Sequence, residues 1–435
     1  MRIDFTPKRR YNYFGVQVCM KTIVATIIFS LLLLGNLQAQ FRAGAALRII
    51  TPDPLLPVSG GIGIPKPSRE KKGDLFVRAI VFEKNNTKVA IVSVDNLGWP
   101  AALGDQTRAL VKNIPAQNIL IGATHTHGAP DAYGFPDETG KSNADLAYLK
   151  KCVALMAEAI QEADKNLQPA SLKVAVGEAK GKIAYNYYAP ELYDPRCGVI
   201  QAIAETGPRK GQPIATLVNY AVHPEVLGSG RGILSPDLCG PLYARIESRV
   251  GGMALFMNGA QGGMVTADVR SGNGQEANTW EECERIGNLL ADEALRLVGS
   301  APVENDPDLA CSASVVTFPI DSEIMRYILK NSPLKMKASA DNTVSTVVNY
   351  LKIGSARALT IPGEALPNIG FYVKRKMNTP KAFLFGLTND AFGYMLTSVD
   401  FNSFKRYDYV TRTSLGEKTG DIYVAEALKL VESHP

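Results

Sequence analysis

The amino-acid sequence predicts an α/β fold: a single large mixed-sheet domain with helices packed on the sheet and a candidate active site in loops at the strand ends. Short apolar runs alternate with longer segments in which apolar residues recur with helical spacing. Several of the short runs end in polar loops, which is where α/β proteins place ligands. The chain shows no repeat and no Pro/Ser-rich linker that would divide it into separate domains.

The predicted strands are short runs of apolar and β-branched residues bounded by turn residues. The first two, at 76–82 and 89–94, flank a turn at Asn85 and Asn86. The strands predicted after them are 118–123, 214–220, 253–257, 355–361 and 382–387.

Helices are predicted where apolar residues fall on one face of a 3.6-residue repeat. In the segment 144–165, for example, Leu149, Val153 and Ile160 lie on one face. The predicted helices are 101–113, 144–165, 240–250, 277–298, 321–331 and 421–432.

The composition excludes several classes of protein. Of the 435 residues, 46% are hydrophobic and 20% are charged, which excludes wholesale disorder and a polytopic membrane protein. The net charge is +5, but residues 1–39 contain five Lys or Arg against one Asp. The rest of the chain therefore carries about +1. Without a strong basic field, we expect no nucleic-acid partner.

Residues 1–39 are predicted to be a signal peptide with an N-terminal extension. Met20 and Lys21 precede an apolar run at 22–34, which is short compared with the roughly 20 residues of a bilayer span. A small residue at Ala39 suits cleavage nearby. We therefore expect a secreted or periplasmic protein with no transmembrane segment in the mature chain. The alternative is an uncleaved membrane anchor.

The histidines are the main functional signal in the sequence. The chain has only four, which are His125, His127, His223 and His434. The first three follow predicted buried strands, and in an extended backbone His125 and His127 point to the same face. That pair suits two metal ligands, or one ligand beside one acid/base. The alternative is a set of hydrogen-bonded structural histidines.

A zinc site needs more than two imidazoles, so an oxygen ligand is expected. Glu364 follows a strand-like run and a Pro-Gly turn and is one candidate, although a carboxylate there also suits the first turn of a helix. Asp95, Asp237 and Asp268 also end or follow apolar runs. Taken singly, each of these three suits a capping or turn role.

The glycine-rich turn at 258–263 is not a phosphate-binding loop. It lacks the lysine of a P-loop and the glycine spacing of a dinucleotide-binding turn. Close backbone approach to a ligand and a tight bend explain it equally well. The chain also has no GxSxG motif, which argues against an ordinary α/β-hydrolase.

Taken together, these motifs resemble the catalytic domain of the neutral/alkaline, non-lysosomal ceramidase family. The most specific piece is 123–130, ATHTHGAP, which is similar to that family's ATHTHSGPG. The resemblance covers residues 40–435 as a ceramidase-like catalytic domain. The other pieces, in the family's order, are 43–52, 77–79, 219–224, 235–237, 254–256, 361–364 and 389–397.

The resemblance implies a zinc site made by two His, one Glu and one Tyr. Matched motif by motif, these ligands fall on His125, His223, Glu364 and Tyr394. It further implies that His127 is the acid/base beside the metal, with Tyr394 as a second catalytic residue. The cofactor expected from the resemblance is zinc, which polarises oxygen atoms and lowers the pKa of water.

The chain departs from the family pattern near the expected substrate. Tyr187 stands where the family has an Arg, Thr266 is the nearest hydroxyl to the family's Ser, and Phe401 replaces a second Tyr. Asp95 or Asp237 is expected to orient the ligating histidines, as carboxylates commonly do. Because the metal ligands match and their neighbours do not, metal chemistry is a firmer expectation than ceramide as the substrate.

The sequence is compatible with three functions. The first is a secreted zinc-dependent hydrolase that cleaves an amide bond, as in ceramidases. The second is a zinc-dependent lyase, dehydratase or glycoside-cleaving enzyme acting on an oligosaccharide, which the four tyrosines Tyr187, Tyr188, Tyr407 and Tyr409 would suit. The third is a binding protein with a structural metal. A lipid substrate requires apolar surface at the site, whereas a sugar requires a polar, aromatic-lined groove.

Overall fold

A computed structural model describes Met1, residues 40–336 and residues 338–434. The predicted signal peptide, apart from Met1, lies outside the described residues. Phe41–Pro435 forms one compact unit. Among the described residues, no helix has both the length and the apolar character needed to cross a bilayer.

The structure contains strands and helices throughout this unit. The strands are β1 (Arg42–Ile49), β2 (Val58–Ser59), β3 (Glu70–Lys71), β4 (Phe76–Lys84), β5 (Thr87–Val94), β6 (Ile119–Ala123), β7 (Ala129–Pro130), β8 (Gln168–Glu178), β9 (Ala184–Asn186), β10 (Arg196–Ala204), β11 (Pro213–Tyr220), β12 (Ile233–Leu234), β13 (Met253–Asn258), β14 (Val265–Ala267), β15 (Val303–Glu304), β16 (Leu309–Pro319), β17 (Thr343–Ile353), β18 (Ala356–Thr360), β19 (Glu364–Ala365), β20 (Ala382–Phe385) and β21 (Tyr394–Met395). The helices are α1 (Ala101–Leu110), α2 (Leu146–Lys165), α3 (Cys239–Val250), α4 (Trp280–Gly299), α5 (Glu323–Asn331), α6 (Pro367–Lys376), α7 (Asp408–Arg412) and α8 (Thr419–Glu432), with short 3-10 turns at Ala116–Asn118 and Lys405–Tyr407.

The predicted α/β class with a large mixed sheet is confirmed. In the described residues the large sheet has nine strands, in the order β13-β11-β10-β8-β1-β4-β5-β6, with β15 paired to β8. The pairs β5–β6 and β11–β13 are parallel, and the other neighbours are antiparallel. A smaller sheet has the order β16-β17-β18-β20.

Alternate residues of the central strands enter different parts of the core because side chains alternate across a sheet. In β4, Val77, Ala79 and Val81 join the core cluster that contains buried residues of α2. Ile80 and Phe82 join a second cluster, which contains apolar residues of the smaller sheet. Helices α2, α3 and α4 therefore cover one face of the large sheet, and the smaller sheet covers the other. Helix α8 packs on the smaller sheet.

The edge strands β6 and β13 lie against each other because the sheet curls. The hydroxyl of Ser93 in β5 donates to the carbonyl of Phe256 in β13 at 2.6 Å. We call this line of contact between β6 and β13 the seam. The two strands approach closely there, because a Cβ added to Gly122 in β6 would lie 2.6 Å from Cε of Met257 in β13. The curl thus brings the C-terminal ends of β6, β11 and β13 to one place.

Some elements carry little signal in the sequence. The strands β1, β8 and β10 occupy the middle of the large sheet, although none of them was predicted. β1 is rich in alanine and glycine, RAGAALRI, and has only one of the β-branched residues that mark a strand, Ile49. Helix α6, also not predicted, begins with a proline at its first position and ends in three basic residues. Tertiary packing, not local propensity, selects β1, whereas β8 and β10 contain the Val and Ile residues that mark a strand.

Candidate metal centre

Three histidines meet at the end of the seam. His125 and His127 follow β6, and His223 follows β11. The ring centroids lie 5.0 Å apart for His125 and His127, 4.7 Å for His125 and His223, and 5.9 Å for His127 and His223. One ring nitrogen from each histidine falls within 4.8 Å of the others. The arrangement is compatible with a metal ion.

A single asparagine fixes the two histidine-bearing segments relative to each other. The amide nitrogen of Asn258 donates to the carbonyls of Thr124, at 3.0 Å, and Val222, at 2.8 Å. Its amide oxygen accepts from the backbone N–H of Val222 at 3.2 Å. Because Thr124 and Val222 precede His125 and His223, one buried side chain sets the position of both imidazoles.

Backbone carbonyls orient two of the imidazoles. Nδ1 of His125 lies 2.6 Å from the carbonyl oxygen of Leu97. Nδ1 of His223 lies 2.9 Å from the carbonyl oxygen of Val265. With the proton of each ring on Nδ1, the Nε2 lone pair is available for a metal.

The expectation that Asp95 or Asp237 orients these histidines is wrong. The carboxylate of Asp95 accepts hydrogen bonds from the Phe76 N–H, at 2.9 Å, and the Tyr243 hydroxyl, at 3.2 Å. The carboxylate of Asp237 accepts from the N–H groups of Leu227 and Leu238. Both carboxylates stabilise local backbone, as buried carboxylates at turns commonly do.

The expectation of an extended backbone through the first two histidines is also wrong. His125 has a φ of +74°, in the left-handed region that L residues rarely occupy. The rings of His125 and His127 stand at 89° to each other. A strained residue of this kind is common at functional sites, where the surrounding structure maintains it.

Glu364 supplies an oxygen atom to the cluster. Its Oε2 lies 3.1 Å from Nε2 of His223 and 3.4 Å from Nε2 of His125. Burial favours a neutral carboxyl, but the two imidazoles hold the pKa of Glu364 well below its usual range. Burial likewise opposes protonation of His223, but the hydrogen bond to Glu364 outweighs it and raises the pKa of His223 to about 9.

Glu364 is held in place by short backbone pairings. It lies on β19, which runs parallel to β21 with Glu364 opposite Tyr394. The glycine-rich turn packs against the same strand, since the N–H of Gly262 donates to the carbonyl of Ala365 at 2.9 Å. A Cβ on Gly262 would collide with the backbone of Glu364. Close approach to the strand that carries Glu364 therefore explains the glycine in this turn.

Tyr394 lies beside Glu364 in the strand pair, with its side chain buried. Its hydroxyl lies 3.1 Å from the sulfur of Met264, and its ring packs edge-to-face on Tyr409 with centroids 5.9 Å apart. Burial first, and then the charge of Glu364, raise the pKa of Tyr394 well above its usual value. The structure thus brings Tyr394 to the cluster, with its hydroxyl on the thioether.

His127 differs from the other two histidines in its partners. Its Nδ1 lies 3.5 Å from Oε2 of Glu225, and its buried Nε2 has no hydrogen-bond partner among the described residues. Burial lowers the pKa of His127 to about 4, although the Glu225 carboxylate opposes that shift. Sequence reasoning missed Glu225. Its position two residues after His223 was the available signal, because residues two apart in an extended segment share a face.

The donor set fits a divalent transition metal. Imidazole nitrogens and a carboxylate oxygen are the ligands of zinc sites, and the Nε2 atoms of His125 and His223 both point at Glu364. His127 adds a buried, unpartnered Nε2 in the described part of the chain. Asp268 is not part of this set, since it forms an ion pair with Arg270 at 2.9 Å.

A cavity of about 500 Å³ opens onto the cluster. His125, His127, Glu364 and Tyr394 form part of its wall, together with Tyr409. Most of the remaining lining is apolar and comes from α5, the segment after it and neighbouring loops: Leu97, Phe135, Met325, Ile328, Leu329, Leu334, Met336, Val344 and Phe392. The rest of the wall is therefore mostly apolar, with Asp105, Lys335 and Asp390 as its acidic or basic side chains away from the cluster.

Two of the positions where the chain departs from the ceramidase pattern, Tyr187 and Thr266, lie on neighbouring segments, because β14 pairs with β9. Thr266 pairs with His223 through an isolated parallel bridge. The backbone N–H of Tyr187 donates to the carbonyl of Met264 at 2.9 Å, and its ring is 60% exposed. Tyr187 packs edge-to-face on Tyr188, and Tyr188 packs on Tyr407. Tyr187, Tyr188 and Tyr407 thus form an aromatic cluster next to the segment that contains Met264 and Thr266.

The fold and the cluster together define an α/β protein with a candidate metal centre where its sheet edges meet. The sequence matches no family model and no curated protein. Solved structures do match: the neutral ceramidase from Pseudomonas aeruginosa has a TM-score of 0.71 and 15% identity over 91% of this chain and 75% of that chain. A ceramidase complexed with C2 has a TM-score of 0.72 and 16% identity over 90% and 75%. The chain has a neutral ceramidase-like fold.

Proposed function

We propose that this protein is a zinc-dependent hydrolase that cleaves the amide bond of an N-acylated lipid. The observation that carries the proposal is the apolar cavity that opens directly onto the His–Glu cluster. Apolar walls with a few convergent polar groups are typical of sites for apolar ligands. The ceramidase-like fold supports the same substrate class.

His125, His223, Glu364 and Tyr394 would hold the zinc ion. When bound, zinc supplies a Lewis acid that polarises a carbonyl oxygen and lowers the pKa of water. Because a ligating imidazole is neutral, zinc would take the place of the proton that His223 shares with Glu364. The hydroxyl of Tyr394 would leave the sulfur of Met264 to join the set.

His127 would move the protons of the reaction. Its unpartnered Nε2 is available to accept a proton from water as the water oxygen adds to the amide carbonyl. The C–N bond then breaks, and His127 returns that proton to the leaving nitrogen. The products are a fatty acid and an amine. A histidine with a low pKa is neutral at physiological pH and therefore competent as the base.

The apolar wall would bind the acyl chain. Met325, Ile328 and Leu329 present one face of α5 to the cavity. Transfer of apolar surface out of water contributes about 25 cal/mol per Å², so an acyl chain seated there gains affinity with each methylene. The amide bond would then lie at the charged end of the cavity, beside His127.

A second candidate is a zinc-dependent lyase, dehydratase or glycoside-cleaving enzyme acting on an oligosaccharide. The aromatic cluster Tyr187, Tyr188 and Tyr407 favours it, because the exposed ring of Tyr187 offers an aromatic surface on which a sugar can stack. Phe404, which is 60% exposed, extends this cluster by packing on Tyr407.

The discriminating experiment is a substrate screen of the zinc-loaded protein lacking residues 1–39, with and without a chelator. We expect release of fatty acid from short- and long-chain ceramides that stops on chelation and returns with zinc. Uronate-containing oligosaccharides serve as the second arm. Turnover of a sugar with no release of fatty acid would exclude the amide hydrolase in favour of the second candidate.

We also propose that the protein is exported from the cytoplasm. Residues 1–39 would direct the protein to the periplasm or the medium and be removed near Ala39. Mass spectrometry of the full-length chain after expression should find a new N-terminus within a few residues of Ala39 in the exported fraction. A protein that keeps residues 20–39 and sediments with membranes would show an anchor instead.

A further inference from the structure

The carboxylate of Glu225 faces His127 and lies outside the expected zinc ligand set. Oε2 of Glu225 lies 3.5 Å from Nδ1 of His127, and the Glu225 side chain is 19% exposed. The hydroxyl of Thr266 stands against the same carboxylate. Distances of this length are common in catalytic hydrogen bonds before substrate binds.

The backbone fixes both partners. The N–H of His127 donates to the carbonyl of Pro224 at 3.1 Å, so the residue before Glu225 is tied directly to His127. The N–H of Glu225 donates to the carbonyl of His223 at 3.0 Å, and the N–H of His223 donates to that of Val265 at 2.8 Å. Glu225 therefore lies on a segment that is anchored on both sides.

The three histidines have different partners at Nδ1. His125 and His223 have backbone carbonyls there, whereas His127 has a carboxylate. A carboxylate that accepts the Nδ1 proton keeps an imidazole in one tautomer and one orientation, with the lone pair on Nε2. In His127 that Nε2 is the buried atom without a partner among the described residues.

We propose that Glu225 is a positioning residue that holds the proton of His127 on Nδ1 and so presents Nε2 to the substrate. The inference rests on the proposed function, in which His127 transfers the protons. Glu225 is neither one of the proposed zinc ligands nor one of the residues that line the cavity. It acts only through His127.

Substitution tests the effect on turnover. Glu225→Ala should lower kcat about 10²-fold with little change in KM and a full complement of zinc, because acid/base and outer-shell groups contribute on this scale. Glu225→Gln keeps an acceptor oxygen without the charge and should lose about tenfold. Glu417→Gln, at an exposed position, is the matched control and should behave as the unmodified protein. Unchanged kcat in Glu225→Ala, or loss of zinc along with turnover in both variants, would overturn the proposal.

A double-mutant cycle tests whether Glu225 acts through His127. In a His127→Ala background, Glu225→Ala should cause no further loss of kcat, because the group that it positions is already gone. Multiplicative losses in the double variant would mean an independent role for Glu225 and would contradict the assignment.

A tautomer measurement separates this inference from the proposed function. The protein has four histidines, so ¹⁵N-histidine labelling gives few signals, and His127→Ala identifies those of His127. We expect a protonated Nδ1 and a bare Nε2 for His127, and a mixture of tautomers in Glu225→Ala. A His127 that carries its proton on Nε2 in the unmodified protein would refute the inference. If no substrate is cleaved at all, the proposed function fails and the tautomer result still decides the role of Glu225.

Discussion

At the residue scale, the histidines of the cluster differ in what each ring nitrogen contacts. Nε2 of His223 and Nε2 of His125 share one carboxylate oxygen of Glu364, whereas Nε2 of His127 has no partner among the described residues. Two nitrogens that converge on one carboxylate oxygen are compatible with a metal site, whereas the proposed function gives the unpartnered nitrogen of His127 the proton transfers. The different contacts predict different losses on mutation.

The histidine variants should separate metal binding from turnover. His125→Ala and His223→Ala each remove a nitrogen donor and should lose zinc and activity together. His127→Ala should keep about one zinc per chain and lose turnover by about 10²–10⁴-fold. Elemental analysis and initial rates measure the two effects, with His434→Ala as the control. Loss of zinc in His127→Ala would make His127 a ligand.

Replacing the tyrosine should affect the metal more than the fold. Tyr394→Phe removes only the hydroxyl, whose contact is the Met264 sulfur. We expect zinc affinity and kcat to fall by about 10–100-fold with unchanged unfolding behaviour. Tyr423→Phe, which removes a buried hydroxyl without a hydrogen-bond partner among the described residues, is the control. Equal zinc affinity in the two variants would remove Tyr394 from the ligand set.

At the element scale, the end of β13 organises the site. Asn258, the last residue of β13, bonds to the residue after β6 and to a residue after β11. The residues that follow β6 and β11, which include His125 and His223, are therefore tied to each other through the end of β13. A site supported in this way retains its geometry better than one on free loops.

Removing this link should loosen both histidine segments. Asn258→Ala leaves buried carbonyls without their donor, at a cost of about 1–3 kcal/mol for each unsatisfied group. We expect a lower free energy of unfolding in urea and zinc affinity reduced by about 10–100-fold. The exposed Asn273→Ala is the matched control. Zinc affinity equal to that of the control would show that Asn258 serves the fold alone.

Helix α5 should determine which acyl chains are accepted. Ile328→Asn places a polar group on the cavity face of α5. It should lower kcat/KM for a long-chain ceramide about tenfold relative to a two-carbon amide, because only the long chain reaches that wall. Lys330→Asn, on the exposed face of α5, should leave the ratio unchanged. The same loss for both chain lengths would contradict an acyl-binding role.

At the scale of the whole molecule, buried carboxyls couple folding to pH. Burial, opposed by hydrogen bonds from neighbouring N–H groups, raises the pKa of Asp237 from 3.8 to about 6. Burial has the same effect on Asp95, Asp131 and Asp390. Between the unfolded and folded pKa values, the folded protein binds more protons than the unfolded chain. The contribution of each group is therefore present at low pH and is lost as pH rises through about 6.

The variant Asp237→Asn should remove the part of the pH dependence of stability that comes from Asp237. As pH rises from about 4 to about 7, the metal-free protein should lose up to about 3 kcal/mol of stability relative to Asp237→Asn, because one pKa unit corresponds to about 1.4 kcal/mol. Urea unfolding of both proteins across that range measures the difference. A difference that does not vary with pH would mean that Asp237 has an ordinary pKa in the folded protein.

The sequence by itself determined the fold class and most of the elements around the site. Apolar periodicity predicted α2 and α4, and short β-branched runs predicted β5, β6 and β11, because local chemistry sets these patterns. Family motifs in the sequence predicted the ceramidase-like fold, which the structural comparisons confirm. His125, His223, Glu364 and Tyr394 were also named from the sequence. The structure places His125, Glu364 and Tyr394 in the wall of one cavity, and His223 contacts Glu364.

Only the tertiary structure decided how these pieces meet. His223 and Glu364 are 141 residues apart in the chain, and Glu364 reaches His223 because β19 packs against the glycine-rich turn that follows β13. The roles of Asn258 and Glu225, the backbone carbonyls that orient His125 and His223, and the apolar cavity wall come from the same long-range packing. Periodicity reports which face of an element is buried but not what lies against it. Contacts between distant segments are therefore set by the packing of the whole chain.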